Sequence, residues 1–307
     1  MTQIRIFGHQ NPDTDTITSA IVTADIEQQL GNEASAYRLG NIGAETQYAL
    51  EHFGVKTPEL LETLEDGADV ILVDHNEFQQ SAENIEMANI LKVYDHHRIA
   101  NFQTEGPLYY RAEPVGCTAT ILKKVYEEND LLISKEMAGL MLSAIISDTL
   151  LFKSPTTTEE DSVAAQSLAE MADIDIESYG TEMLKAGAST KDKTAEALIT
   201  ADAKSFEMGQ RTTRIAQINV VDVDEVFERK QELEDAIHSQ IDQEGYDLFV
   251  LVVTDILNSN SRVLALGTEA QSVERAFDVS LDNNSAVLEG VVSRKKQVVP
   301  QITKALS

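Results

Sequence analysis

The chain has 307 residues, enough for two ordinary domains, and its 42% apolar and 25% charged residues are the balance of a globular, enzyme-sized protein. Its 24 Lys and Arg face 52 Asp and Glu, a net charge of −28, which excludes general affinity for duplex nucleic acid and disfavours an anionic membrane surface. An anionic ligand would need local positive charge or bound metal to offset that field. Trp is absent, so the core must come mostly from Leu, Ile, Val, Ala and Met. The single cysteine, Cys117, excludes an intramolecular disulfide and reads as a small buried residue. The N-terminus enters a strand pattern without a basic and apolar leader, and the strongest apolar run, residues 248–253, is too short to span a bilayer. A cytoplasmic location is the expectation.

In chain order, residues 4–7 read as a strand, 17–30 as a helix ending near Gly31, 34–39 as a second strand and 45–53 as a second helix. Val70-Ile71-Leu72-Val73 is a continuous apolar run suited to a strand buried on both faces, and residues 89–94 and 108–111 suggest two more strands. Helical patterns fill 118–128, 135–146, 159–172 and 176–185. Strands alternating with helices predict an α/β, doubly wound, mostly parallel sheet with helices on both faces. A small polar stretch follows at residues 188–193 and suits a linker or hinge, dividing an N-terminal domain, 1–187, from a C-terminal one, 194–307. Beyond it, strands at 204–208 and 212–221 flank a Gly209-Gln210 hairpin, and residues 224–241 read as one helix. Strands at 247–257, 262–266 and 286–289 and a last helix at 299–306 complete a smaller α+β domain of mixed sheet.

The first strand runs into Gly8-His9-Gln10-Asn11-Pro12-Asp13-Thr14-Asp15. Either Asp13 or Asp15 could cap the following helix, but a second Asp and a His in the same turn need another reason. Related groups follow other elements: Asp74-His75-Asn76-Glu77, Asp95-His96-His97-Arg98 and Ser147-Asp148-Thr149. Strand ends of a parallel sheet lie on one rim, where such sheets place their ligands, so these groups should converge. Each alone could be a turn or cap residue, and His52 and His238 fit a structural role. Asp74 is a stronger candidate than its neighbour His75, because successive strand-end residues point different ways. Imidazoles and carboxylates without thiolate suit Mn²⁺ or Mg²⁺ better than structural zinc. Six ligands with bridging carboxylates suit two ions about 3.5–4 Å apart, the arrangement of metal-assisted hydrolysis of a phosphate ester or anhydride.

This ordered set resembles the DHH phosphoesterase superfamily and, within it, the family II, manganese-dependent inorganic pyrophosphatases. Ser293-Arg294-Lys295-Lys296-Gln297 resembles that family's C-terminal substrate-binding motif, so the likeness spans the whole chain. The Gly-rich GGGH-type motif of DHH oligoribonucleases and cyclic-dinucleotide phosphodiesterases is absent, and there is no room for a regulatory nucleotide-binding insertion. The resemblance implies one metal on His9 and Asp13, another on Asp15 and His96, and Asp74 and Asp148 bridging or shared. It further implies that Asp95 orients a histidine, that His97 touches substrate and assists the departing phosphate, and that Lys204, Arg294 and Lys295 grip the phosphates. The implied cofactors are two Mn²⁺, with Co²⁺ or Mg²⁺ as alternatives and further Mg²⁺ accompanying substrate. The implied reaction is hydrolysis of pyrophosphate to two phosphates by a water or hydroxide activated between the ions, in a cleft between the domains. A homodimer through the N-terminal domain is implied as well. Two rival functions are a DHH phosphodiesterase acting on short nucleotides and a non-catalytic metal- or phosphate-binding protein.

Overall fold

Apolar β-branched runs separated by helical stretches form, in the computed structural model, a parallel sheet followed by a mixed one. The structure describes residues 3–200 and 202–306, with the backbone alone at Lys295, and its contacts separate two compact units, Met1–Gly187 and Ala188–Ser307.

Unit 1 contains, in order, β1 (Ile4–Phe7), α1 (Thr14–Gln29), β2 (Ala34–Arg38), α2 (Ala44–His52), β3 (Glu59–Leu60), β4 (Asp69–Val73), β5 (Asn89–Asp95), β6 (Tyr109–Ala112), α3 (Thr118–Glu128), α4 (Lys135–Thr149), α5 (Glu159–Ala172) and α6 (Ile176–Ala188). The six strands are all parallel in the order β3-β2-β1-β4-β5-β6. The order therefore reverses between β1 and β4, and their C-terminal ends flank the crevice where open α/β sheets bind ligands. Side chains alternate across the sheet. Phe7, Val70, Leu72 and Val93 pack on one face against Leu64, Ile85, Phe78 and Phe102, from loops and single 3₁₀ turns. Helix α1 is buried along most of its length, and it packs against α3 and α4.

Unit 2 contains α7 (Ala195–Thr200), β7 (Ala203–Met208), β8 (Arg211–Val220), α8 (Val223–Phe227), α9 (Lys230–Glu244), β9 (Leu248–Asp255), β10 (Asn260–Leu266), α10 (Gln271–Phe277), β11 (Ser285–Leu288) and α11 (Val299–Leu306). Its sheet, β11-β10-β9-β8-β7, is mixed, with β8 and β9 parallel and the other pairs antiparallel. The central strand β9 is apolar at consecutive positions because both its faces are covered. Phe249, Leu251 and Val253 enter a core with Leu233 and Ile237, while Leu248, Val250 and Val252 enter a second core with Val273 and Ile302.

Two local expectations are corrected. The single helix expected over 224–241 is two, α8 and α9, separated at Glu228 and Arg229. Arg229 leaves helical geometry there and donates from its guanidinium to the carbonyls of Thr190 and Lys193 and to Glu232. Ser147 and Asp148, expected beyond a helix end, lie within the last turn of α4. Helices α7 and α10 and the two-residue strand β3 were not legible in the periodicity.

Candidate metal centre

All six predicted ligands lie in unit 1, and every one sits at a strand end or a helix terminus. Asp13 is the N-cap of α1, its Oδ1 accepting from Thr16 N at 2.9 Å. The capping role anticipated from sequence is real, and it uses only one carboxylate oxygen. The other, Oδ2, lies 3.4 Å from His9 Nε2, which also stands 3.5 Å from Asp74 Oδ2. Asp15, in the first turn of α1, is fully buried; its Oδ1 accepts from Ser19 Oγ at 2.6 Å and its Oδ2 from Thr118 N, at the start of α3, at 2.7 Å.

Asp74 directly follows β4 in a left-handed conformation (φ 59°), which Asp adopts more readily than most residues. Its backbone N–H donates to the carbonyl of Tyr94 at 2.9 Å. Thr16 Oγ1 donates to its Oδ2 at 2.6 Å and Thr118 Oγ1 to its Oδ1 at 3.2 Å. Thr16 can approach this closely because residue 8 is glycine: a Cβ there would lie 2.5 Å from Thr16 Cγ2. His96, one residue past β5, turns Nδ1 to the carbonyl of Val115 at 3.0 Å and Nε2 towards Asp74 Oδ1 at 3.4 Å and Asp148 Oδ2 at 3.8 Å. Asp148 is placed by α4, in the last turn, where the helix dipole disfavours a carboxylate. Leu150, Leu151 and Phe152 then follow with φ of 49°, 52° and 63°, a run of left-handed bulky residues that marks strain beside the site.

These side chains form three overlapping donor groups: His9, Asp13 and Asp74; Asp15, His96 and Asp148; and Asp74, His96 and His97. No cysteine belongs to them among the described residues, and the buried Cys117 thiol is pushed well above its ordinary range by burial and by Asp15. Asp95 accepts from the backbone N and the Nδ1 of His97 at 3.0 Å each, and from Asn76 Nδ2 at 2.6 Å. It therefore orients His97. His75 points elsewhere, its ring held by the Val73 carbonyl and Ser81 Oγ at 2.9 Å each. His52 stacks in an aromatic cluster with Tyr48, Phe53 and Tyr179. A cavity of ≈ 400 Å³ opens over Asp13, Asp74, His96, His97 and Asp148.

The electrostatics fit a cation. Burial, then repulsion from Asp74, pushes the Asp15 carboxyl up to about 7, and burial with repulsion from Asp15 and Asp74 pushes Asp148 well above the carboxylate range. Burial would also raise Asp74, but hydrogen bonds from His9 and His96 hold it well below that range. Burial alone would lower His9, and hydrogen bonds to Asp13 and Asp74 instead raise it to about 10. His96 likewise rises to about 9 against burial, through Asp74 and Asp15. Carboxylates crowded together in a dry site hold protons unless a stronger cation replaces them. Hard oxygen donors with two imidazoles and no thiolate match Mn²⁺.

Of the remaining predicted residues, His97 joins the third donor group, half exposed. Lys204 is exposed on β7 of unit 2. Arg294 is buried there, donating from Nη2 to Asp202 Oδ1 at 2.8 Å and from Nη1 to the Asp202 carbonyl. The Lys295 side chain lies outside the described residues. Sequence reasoning missed the hydroxyls and amide that orient the ligands, those of Thr16, Ser19 and Thr118. It also missed Glu45, whose Oε1 accepts from Thr14 Oγ1 at 2.7 Å and from Ser147 Oγ at 2.5 Å, tying the first ligand turn to the end of α4. Only the Ser19 position carried a signal, being one helical turn after Asp15.

A parallel sheet whose strand ends gather histidines and carboxylates defines a DHH-type hydrolase, and residues 3–145 match the DHH family N-terminal domain while 181–305 match the DHHA2 domain. The "Probable manganese-dependent inorganic pyrophosphatase" of Staphylococcus epidermidis is 64% identical over 308 residues, covering 100% of both chains. Its counterpart in Staphylococcus aureus is 61% identical over the same span. A crystal structure described as the "Methanococcus jannaschii putative family II inorganic pyrophosphatase" is 41% identical and superposes with a TM-score of 0.62 over 99% of each chain. The chain belongs to the manganese-dependent, family II inorganic pyrophosphatases and is an enzyme of that class.

Proposed function

We propose that this chain hydrolyses inorganic pyrophosphate to two phosphates with two Mn²⁺ ions, one on His9 and Asp13 and one on Asp15 and His96, Asp74 and Asp148 being shared. The observation that carries the reading is the overlap of three donor groups around Asp74 and His96. When bound, such ions lower the pKa of a coordinated water and neutralise phosphoryl oxygens; Co²⁺ or Mg²⁺ could substitute, and Mg²⁺ could accompany the substrate. Asp74, threaded between Thr16 and Thr118, holds its two oxygens apart, one towards each histidine. Val115 holds a proton on His96 Nδ1, which leaves Nε2 as the ligand atom.

His97 is raised by its hydrogen bond to Asp95, and Asp74 raises it further against burial, so it keeps a proton to give to the departing phosphate. Arg294, its planar fork exchanging Asp202 for the anion, and Lys204 and Lys295 bind the phosphates from the second domain. Their positive charge gives a polyanion the local field that a chain of net charge −28 otherwise lacks. A homodimer through unit 1, whose sheet ends in the edge strand β6, and a cytoplasmic location complete the proposal. No helix of the described residues is long and apolar enough to cross a membrane.

The test is phosphate release from pyrophosphate after metal is stripped and Mn²⁺, Co²⁺ and Mg²⁺ are restored in turn, with a dinucleotide as the competing substrate. Mn²⁺-dependent release from pyrophosphate, lost in folded His96→Ala, is expected. Normal turnover in that variant, or preference for the dinucleotide, would refute the reading.

A further inference from the structure

Helix α5 starts with a capping box, Thr158 to Asp161, in which Thr158 Oγ1 accepts from Asp161 N and Asp161 Oδ2 accepts from Thr158 N at 2.8 Å. A residue completing such a box is normally at the surface and needs only that contact. Asp161 is 0% exposed and accepts three more bonds: from Thr158 Oγ1 at 2.7 Å, from Gly116 N at 2.9 Å and from Thr120 Oγ1 at 2.6 Å. Burying a carboxylate costs several kcal/mol unless donors surround it, so this degree of enclosure needs a reason beyond starting a helix.

The reason lies in what Gly116 and Thr120 flank. Between Val115 and Thr118 lie the atoms that orient the metal ligands: the Val115 carbonyl on His96 Nδ1, Thr118 N on Asp15 Oδ2 and Thr118 Oγ1 on Asp74 Oδ1. The fit is tight, since a Cβ on residue 116 would lie 2.7 Å from Asp161 Oδ2 and 3.1 Å from Thr149 Cγ2. We propose that Asp161 is a positioning residue of the metal centre, clamping residues 116 and 120 so that Thr118 between them orients Asp15 and Asp74 and the adjoining Val115 orients His96. The proposal rests on the metal reading above. It assigns Asp161 no contact with metal or substrate.

The test titrates the ion-free full chain with Mn²⁺, comparing wild type with Asp161→Ala, Gly116→Ala and Thr158→Ala. Asp161→Ala and Gly116→Ala should each weaken one of the two Mn²⁺ equivalents by about 10–100-fold, the loss typical of removing a group that orients a ligand. Thr158→Ala damages the same helix cap but leaves the Gly116 bond, and its Mn²⁺ affinity should stay within about twofold of wild type. Excess Mn²⁺ should restore turnover to the first two variants, which a general loss of structure would not allow. If Asp161→Ala does not fold, Gly116→Ala decides, because it retains both capping-box side chains and displaces Asp161 Oδ2 without removing it. Wild-type affinity in Gly116→Ala, or an equal loss in Thr158→Ala, would overturn the positioning role. A wild-type chain that takes up no Mn²⁺ would instead overturn the metal reading and the proposal with it.

Discussion

The candidate metal centre of unit 1 buries charge differently from unit 2, and differently from the Glu27–Lys92 pair of its own unit. In unit 2 the buried ionisable side chains have opposite partners: Glu234 meets Lys230 at 2.9 Å, and Arg294 meets Asp202 at 2.8 Å. In unit 1 the buried carboxylates of Asp15 and Asp74 face each other and Asp148 across a small space, with histidines between them. A buried pair satisfies itself, whereas crowded like charges are stable only with protons or a cation among them. The difference favours the proposed ion binding in unit 1, and in unit 2 the proposed phosphate contact requires Arg294 to exchange Asp202 for the anion.

The largest effect that would break this division is expected at its centre. Asp74→Ala removes the carboxylate common to two donor groups and should lower kcat on the order of 10³-fold, measured with pyrophosphate at saturating Mn²⁺. Retained turnover would mean that the shared carboxylate is not shared. Next, Arg294→Ala should raise KM for pyrophosphate about 10-fold or more and leave Mn²⁺ affinity unchanged, because the proposal gives unit 2 the phosphate contact and unit 1 the ion site. A parallel loss of Mn²⁺ affinity would erase the contrast.

A smaller and opposite effect concerns stability. Asp148→Asn removes a group that repels Asp15 and Asp74 once it ionises, so it should stabilise the ion-free chain by about 1 kcal/mol in denaturant unfolding at alkaline pH, while weakening Mn²⁺ binding. The pH dependence of the ion-free chain follows the same repulsion. Asp15 rises from an ordinary 3.8 to about 7, so its ionisation destabilises the fold progressively as pH climbs through that interval. His9 and His96, raised from 6.5 to about 10 and about 9, contribute stability below 6.5 that is lost as pH rises towards those values. Both directions agree, so the ion-free melting temperature should fall from pH 4 upwards. A melting temperature flat across that range would contradict the crowding of charge.

Much of this was legible in the sequence because strand ends of a parallel sheet share a rim. The His9, Asp74 and His96 segments each follow an apolar run, and the topology alone brings them together. The central strand β9 was legible because a strand covered on both faces must be apolar throughout. What was hidden depends on contacts distant in the chain. Thr118 bonds to Asp15 across 103 positions, and Glu45 to Ser147 across 102, which no local pattern encodes. The break between α8 and α9 was equally hidden, since no Gly or Pro interrupts residues 224–241 and Arg229 is drawn out of line by carbonyls of Thr190 and Lys193. Asp148 was placed outside its helix because the apolar pattern stops at Ile146, yet it lies in the last turn, where a carboxylate opposes the dipole.

The central claim is that crowded buried charge in unit 1 is a site for a pair of divalent cations. It is tested most directly by calorimetric titration of the ion-free chain with Mn²⁺ in buffers of different ionisation enthalpy. His9, His96 and Asp15 all hold protons near neutral pH, so two equivalents per chain should bind with net proton release at pH 7, and affinity should tighten as pH rises towards 9. Fewer than two equivalents, or uptake without proton release, would contradict it.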